Sequence, residues 1–198
     1  MTIEISTLMT ISDPSKLETD LNDTVRPALT ALGAQEVIAG IALSGPMTGL
    51  GLLSTRWDSL GAWATASSQM EAQMAPGGER AQLAERYQIT QRIIAQTMHE
   101  AGDSSGAFVN ASRYSFTAPP QGLDNAAKLA IGAGANGLRI SQVLAGGDMT
   151  GHVIGAMFMD SLDVLPDLLA SITSDSQFVA DVQAAGGKLE SRTIFRAV

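Results

Sequence analysis

The chain has 198 residues, 45% hydrophobic and 16% charged, a balance that supports a packed globular core and argues against disorder. A formal net charge of −8, with no cluster of Lys and Arg to offset it, repels phosphate backbones, so nucleic acid is not an expected partner. There is no cysteine, which excludes disulfides, thiolate nucleophiles and cysteine-held metals.

No stretch approaches the roughly 18 apolar residues of a membrane-spanning helix, so no membrane partner is expected. Met1-Thr2-Ile3-Glu4-Ile5 enters a strand-like pattern at once, without the basic start and apolar run of a secretory leader. The expected location is the cytoplasm.

Ile3 to Ile11 alternates and predicts a strand; Asp13-Pro14 then starts a helix running from about Ser15 to Leu32, which Gly33 stops. Val37 to Leu43 is the second predicted strand, Ser44-Gly45-Pro46 a turn, and Thr48 to Trp57 the third strand. Asp58-Ser59 precedes a helix whose exposed amides its side-chain oxygens can cap. Gly77-Gly78 predicts a break before a second helical piece, Glu79 to Tyr87, and Ile89 to Met98 reads as the fourth strand.

The same plan follows again. Phe108 to Phe116, a helix after Leu123, Leu138 to Leu144, Thr150 to Met159, a helix after Asp160 broken near Ser174-Asp175-Ser176, and Glu190 to Ala197 repeat the order. Gly45, Met47, Thr48, Gly49, Asp58, Ser59 and Leu60 recur 102 residues later as Gly147, Met149, Thr150, Gly151, Asp160, Ser161 and Leu162. Two copies of one unit are expected: residues 1–99, a small polar linker at 100–106, and residues 107–198. The order βαββαβ is that of a ferredoxin-like unit, an antiparallel sheet with both helices on one face. The bare faces of two such sheets can cover each other and enclose an interior.

The run from Thr150 through His152, Phe158 and Asp160 to Asp163, followed by Leu168-Leu169-Ala170-Ser171 and Phe178-Val179, resembles the dimeric α/β-barrel superfamily. Trp57-Asp58-Ser59-Leu60 marks the same point in the first copy. That superfamily includes antibiotic-biosynthesis monooxygenase-like, EthD-like and NIPSNAP-like domains, and tandem forms occur. The resemblance implies an α+β fold of two tandem ferredoxin-like repeats whose antiparallel sheets pack face to face as an intramolecular dimeric α/β barrel. Its residues mark a strand-to-helix junction and carry no catalytic role.

Gly132-Ala133-Gly134-Ala135-Asn136-Gly137 has the spacing of a dinucleotide-binding turn, but it follows a helix and precedes a strand. It lacks the helix N-terminal amides that hold a pyrophosphate, so it reads as a helix-terminating loop. Asp58 and Asp160, one per copy, have the residue type of a carboxylate pair; their shared place before Ser-Leu makes them capping candidates instead.

Of the two histidines, His99 sits by the linker with an expected solvent-facing side chain, while His152 interrupts an apolar strand where the first copy has Leu50. Alternation groups His152 with Ile154, Ala156 and Phe158, and Leu50 with Leu52, Ser54 and Arg56. The opposite face carries Gly49, Gly51, Gly151 and Gly155, which let helices approach, so the His152 face is expected between the sheets. The plainer reading of His152 is a packed histidine with one hydrogen-bond partner; the functional one makes it a ligand contact. The expected ligand-binding residues are His152, Phe158, Arg56, Ser54 and Tyr114, with Arg139 a further polar anchor.

No hydrolase elbow, P-loop or zinc-protease helix is present in the sequence, and no flavin, nicotinamide or metal motif supports a cofactor. Two functions remain open. One is a small-molecule-binding barrel for an apolar or aromatic ligand, extending to a cofactor-independent oxygenase or isomerase with catalytic residues unassigned. The other is a noncatalytic structural or interaction module with a packed interior. Free sheet edges would also allow a homo-oligomer.

Overall fold

A computed structural model describes residues 2–72 and 79–198, so the helix break expected at Gly77-Gly78 lies outside the described residues. The first half runs β1 (Ile3–Ile11), α1 (Leu17–Asp20), α2 (Arg26–Ala31), β2 (Glu36–Ser44), β3 (Gly51–Trp57), α3 (Leu60–Ala72), α4 (Glu79–Arg86) and β4 (Tyr87–Gly102). The second runs β5 (Phe108–Ser115), α5 (Leu123–Gly132), β6 (Gly137–Ala145), β7 (Val153–Met159), α6 (Leu165–Ser174), α7 (Ser176–Ala184) and β8 (Lys188–Ala197).

The strands form one closed antiparallel barrel in the order β1-β3-β2-β8-β5-β7-β6-β4. Each half contributes four neighbouring strands in the same internal order, and the seams β2–β8 and β4–β6 join the halves without leaving an edge. The fold is α+β, with the helices outside the barrel.

Alternation decides which side chains meet helices. On β1, Ile3 and Ile5 pack outward with Trp57 of β3 against Leu29 and Ala66, while Leu8 points inward with Ile93, Val143 and Met149. In the second half, Leu138, Ile140, Val153 and Met157 face Ala126, Ala130, Leu168 and Ile172 of the covering helices. The glycine-bearing faces of β3 and β7 meet the helix layer, as the strand pattern requires.

The interior is filled. Ala42, Val109, Phe158 and Phe195 form one buried cluster inside, and Leu8, Ile93, Val143 and Met149 another, with Met47 and Leu52 against both. The two Met side chains come from the recurrent Gly-x-Met-Thr-Gly and Gly-Asp-Met-Thr-Gly turns, which close one end of the barrel. The 102-residue offset holds across β3 and β7 but not throughout. Gly49 donates to Ala42 as Gly151 donates to Val143, so β2 and β6 are related by 101 residues and the second hairpin loop is one residue longer.

Several element boundaries shift for physical reasons. β4 extends through Gly102 because it pairs with β1 on one side and β6 on the other, so residues 100–102 of the expected linker are strand. A register shift between Thr97 and His99 turns His99 toward α5, where its Nδ1 lies 3.4 Å from Asp124. Its side chain is only 21% exposed, which corrects the solvent-facing expectation.

Between α1 and α2 a single π-helical turn spans Leu21–Val25, just before Pro27, whose nitrogen has no proton to donate to the preceding turn. Asp58 and Asp160 do not cap. Ser59 Oγ accepts from Ala62 N at 3.1 Å and Ser161 Oγ from Asp163 N at 3.1 Å. Asp58 instead accepts from Gln35 Nε2 at 2.6 Å and Asp160 from Asn136 Nδ2 at 3.0 Å, tying each strand-to-helix corner to the loop entering the neighbouring strand.

Candidate functional site

An open space lies under the helices of the first half. A cavity of about 320 Å³ opens between the outer face of β1, β3 and β4 and the covering helices. That is the lower end of the volume range of small-molecule sites. Its floor is built by outward positions two residues apart: Ile5, Thr7 and Met9 on β1, and Leu53, Thr55 and Trp57 on β3. Trp63, Ser67 and Met70 of α3 form the roof, and the π turn contributes Thr24 and Val25.

Both tryptophans of the chain are in this wall. Trp57 is fully buried and its indole donates to Thr55 Oγ1 at 2.8 Å, which satisfies the only polar atom of that ring. Trp63 carries the Arg92 guanidinium 5.8 Å from its ring centre, a cation–π distance. Among the described residues Arg92 has no carboxylate partner, so its charge remains available at the cavity rim.

Tyr87 closes another side. Its hydroxyl donates to Asp20 Oδ2 at 2.7 Å, and the Arg86 guanidinium holds both oxygens of the same carboxylate at 2.9 Å. Burial, reinforced by the hydrogen bond to Asp20, pushes the Tyr87 pKa well above its usual value, so the phenol stays protonated. Two indoles, apolar strand residues and one rim cation favour a flat apolar molecule with an electron-rich edge. Among the described lining residues there is no carboxylate or imidazole to act as a general base.

The five residues expected from sequence occupy three separate places. Ser54, Arg56 and Phe158 lie inside the barrel at the end opposite the Met47 and Met149 plug. Ser54 Oγ donates to Glu4 at 2.8 Å, and Arg56 makes a two-pronged contact with Glu100 at 2.8 and 2.9 Å. Phe158 is 3% exposed, and the Arg139 guanidinium stacks 5.4 Å from its ring centre.

Arg139, itself only 2% exposed, donates to Glu36 at 2.6 Å, Glu100 at 2.9 Å and Ser104 at 2.7 Å. Burial alone would raise Glu100, but hydrogen bonds from Ser104 and Arg139 and the charge of both arginines hold it below the ordinary carboxylate range. Burial would likewise lower Arg139, yet Glu4, Glu36 and Glu100 keep its pKa raised. These groups form a polar plug in which, among the described residues, Arg56 Nε is buried without a partner.

His152 sits at the other end, immediately before β7, with Nδ1 buried and unpartnered among the described residues. Hydrogen bonds from Ser115 and Lys188 hold Glu190 below the usual carboxylate range, and His152 adds a smaller favourable charge effect. Tyr114 is on the outer face of the second half, stacked on Phe116 at 5.9 Å. Sequence reasoning did not reach the Trp57, Trp63, Tyr87 and Arg92 group. The signal that could have found it is that both tryptophans fall in one half, Trp57 at a helix-facing strand position and Trp63 in the helix that follows.

No protein-family model and no curated protein matches the chain. Among solved structures, a candidate chlorite dismutase aligns over 100% of this chain and 95% of its own, with TM-score 0.59 and 8% identity. An anthrone oxidase-like protein aligns over 100% of this chain and 91% of its own, with TM-score 0.50 and 17% identity. A candidate monooxygenase of Fusobacterium nucleatum covers 99% of this chain and 92% of its own, with TM-score 0.50 and 9% identity. At these identities the likeness establishes the fold, the dimeric α/β barrel, here completed within one chain.

Proposed function

We propose that the protein binds a small, flat, predominantly aromatic molecule in the first-half cavity. The observation that carries this reading is the 320 Å³ space walled by Trp57, Trp63 and Tyr87 with Arg92 at its rim. Trp63 and Tyr87 supply stacking area, and Arg92 supplies the charge to hold a phenolate or enolate edge. The catalytic extension of the reading is cofactor-independent oxygenation or isomerisation of that bound anion, in which Arg92 stabilises negative charge. Similarity in fold to an anthrone oxidase-like protein and to a candidate monooxygenase supports testing an aromatic enol first.

Anthrone is the probe. Because both tryptophans line this cavity, binding there should quench intrinsic fluorescence saturably, and Trp63→Ala should weaken the affinity about tenfold, about 1.4 kcal/mol. An oxygen electrode run on the same samples separates the functions. Oxygen uptake that falls in Arg92→Met supports the oxygenase; saturable quenching without uptake leaves a binding protein. No quenching by anthrone or by a panel of bicyclic and tricyclic phenols favours the structural or interaction module, for which the filled barrel interior is the supporting feature.

A further inference from the structure

A second, smaller cavity of about 70 Å³ lies under the helices of the second half, on the outer face of β5, β6 and β7. It is separate from the proposed aromatic site and shares no residue with it. Its floor contains Gly155 in the middle of β7, at the position answering to Leu53 in β3, which lines the larger cavity. A mid-strand glycine is unfavourable unless something needs its missing side chain.

Most strand glycines in this protein are explained by crowding: a Cβ on Gly40 would meet the Arg196 carbonyl at 2.6 Å, and one on Gly51 the Ile11 side chain at 2.6 Å. Gly155 is different. A Cβ there would have nothing within 4 Å, and its backbone has no left-handed φ to explain it. The glycine is not demanded by packing or by backbone conformation; what it does is leave space.

We infer that Gly155 keeps open a second ligand site, one that takes an uncharged apolar molecule smaller than an aromatic ring. The walls fit that class. Ile140, Met157, Ile172 and Phe178 are apolar, and Tyr114 and Phe116 stand at one side as a stacked pair. The one buried hydroxyl in the wall, Ser112, already accepts from Arg192 Nε at 3.2 Å. A cavity with so little polar lining stays dry, and an apolar cavity of about 150 Å³ takes up benzene. At about half that volume, this one has room for a molecule smaller than a ring, such as xenon.

Methionine methyl groups give a site-resolved readout, since Met157 lines the small cavity while Met9 and Met70 line the large one. Methyl-labelled protein is titrated with xenon, benzene and naphthalene. Xenon should shift Met157 saturably, benzene and naphthalene should leave Met157 unmoved, and any shift of Met9 and Met70 reports the large cavity alone. Gly155→Leu, which restores the residue type of the first half, should abolish the Met157 shift while anthrone quenching of the tryptophans is retained. Gly155→Ala, which meets no neighbour, should fold in any case and weaken xenon binding severalfold.

A xenon-induced Met157 shift that survives in both variants, or no Met157 shift with xenon, overturns the second site. Failure of anthrone to quench the tryptophans bears on the first cavity alone.

Discussion

Ser59 and Asp58 are adjacent, both carry side-chain oxygens, and only the loop geometry decides which reaches a free helix amide. Ser59 does so for α3, while Asp58 holds Gln35 across the corner. Ser59→Ala should therefore destabilise the protein by about 1 kcal/mol, and Asp58→Ala by less, because its hydrogen bond is solvent-exposed. Urea unfolding of the two variants measures the difference; a larger loss for Asp58→Ala would restore the carboxylate as the cap. The repeated Asp-Ser-Leu was visible in the sequence, but the division of labour inside it was not, since Gln35 arrives from 23 residues away.

At the scale of elements, the two plug-forming hairpin loops look alike and are built to different tolerances. Gly45 has φ of +83°, and a Cβ there would run into the Arg192 carbonyl; Gly147 has φ of +65° with open space beside it. Gly45→Ala should cost about 3 kcal/mol, combining left-handed strain with the clash. Gly147→Ala pays the strain alone, about 1 kcal/mol. Thermal unfolding of the pair checks this, and equal losses would mean that the β8 backbone yields. The asymmetry accompanies the residue inserted in the second loop, which a fixed 102-residue comparison of the sequence hides. Likewise, the π turn that brings Thr24 and Val25 to the large cavity follows from Pro27, yet the sequence pattern there reads as one continuous helix.

The whole molecule is held shut at one end by charge. Arg139 on β6 reaches Glu36 on β2 and Glu100 on β4, so one side chain crosses the interior and ties the halves together. Arg139→Met leaves those carboxylates without their buried partner and should cost about 3 kcal/mol in urea unfolding. The same plug sets an acid limit. Because Glu100 is lowered below its ordinary 4.5 in the folded state, its contribution is complete above about pH 4.5 and lost as pH falls through the folded value. Glu100→Gln should be less stable than the parent at pH 7, with the gap closing below pH 4; a gap independent of pH would assign the effect to hydrogen bonding rather than charge.

The succession of strands and helices, the alternation of β1, the sidedness of β3 and β7, the break before α7 and the role of the glycine run before β6 were all legible in the sequence. Each depends on local periodicity or on a turn residue acting within a few positions. The alternation of Ile3 and Ile5 against Glu4 and Ser6, for example, assigns faces without knowledge of any partner. What only the tertiary structure decided was where the empty space lies. Whether the barrel interior is open depends on how Phe158, Phe195, Met47 and Met149, drawn from four distant segments, fill a common volume. Close packing is a property of that sum. The cavities therefore sit in the helix layers, where the helix-facing side chains leave gaps that no single strand or helix pattern records.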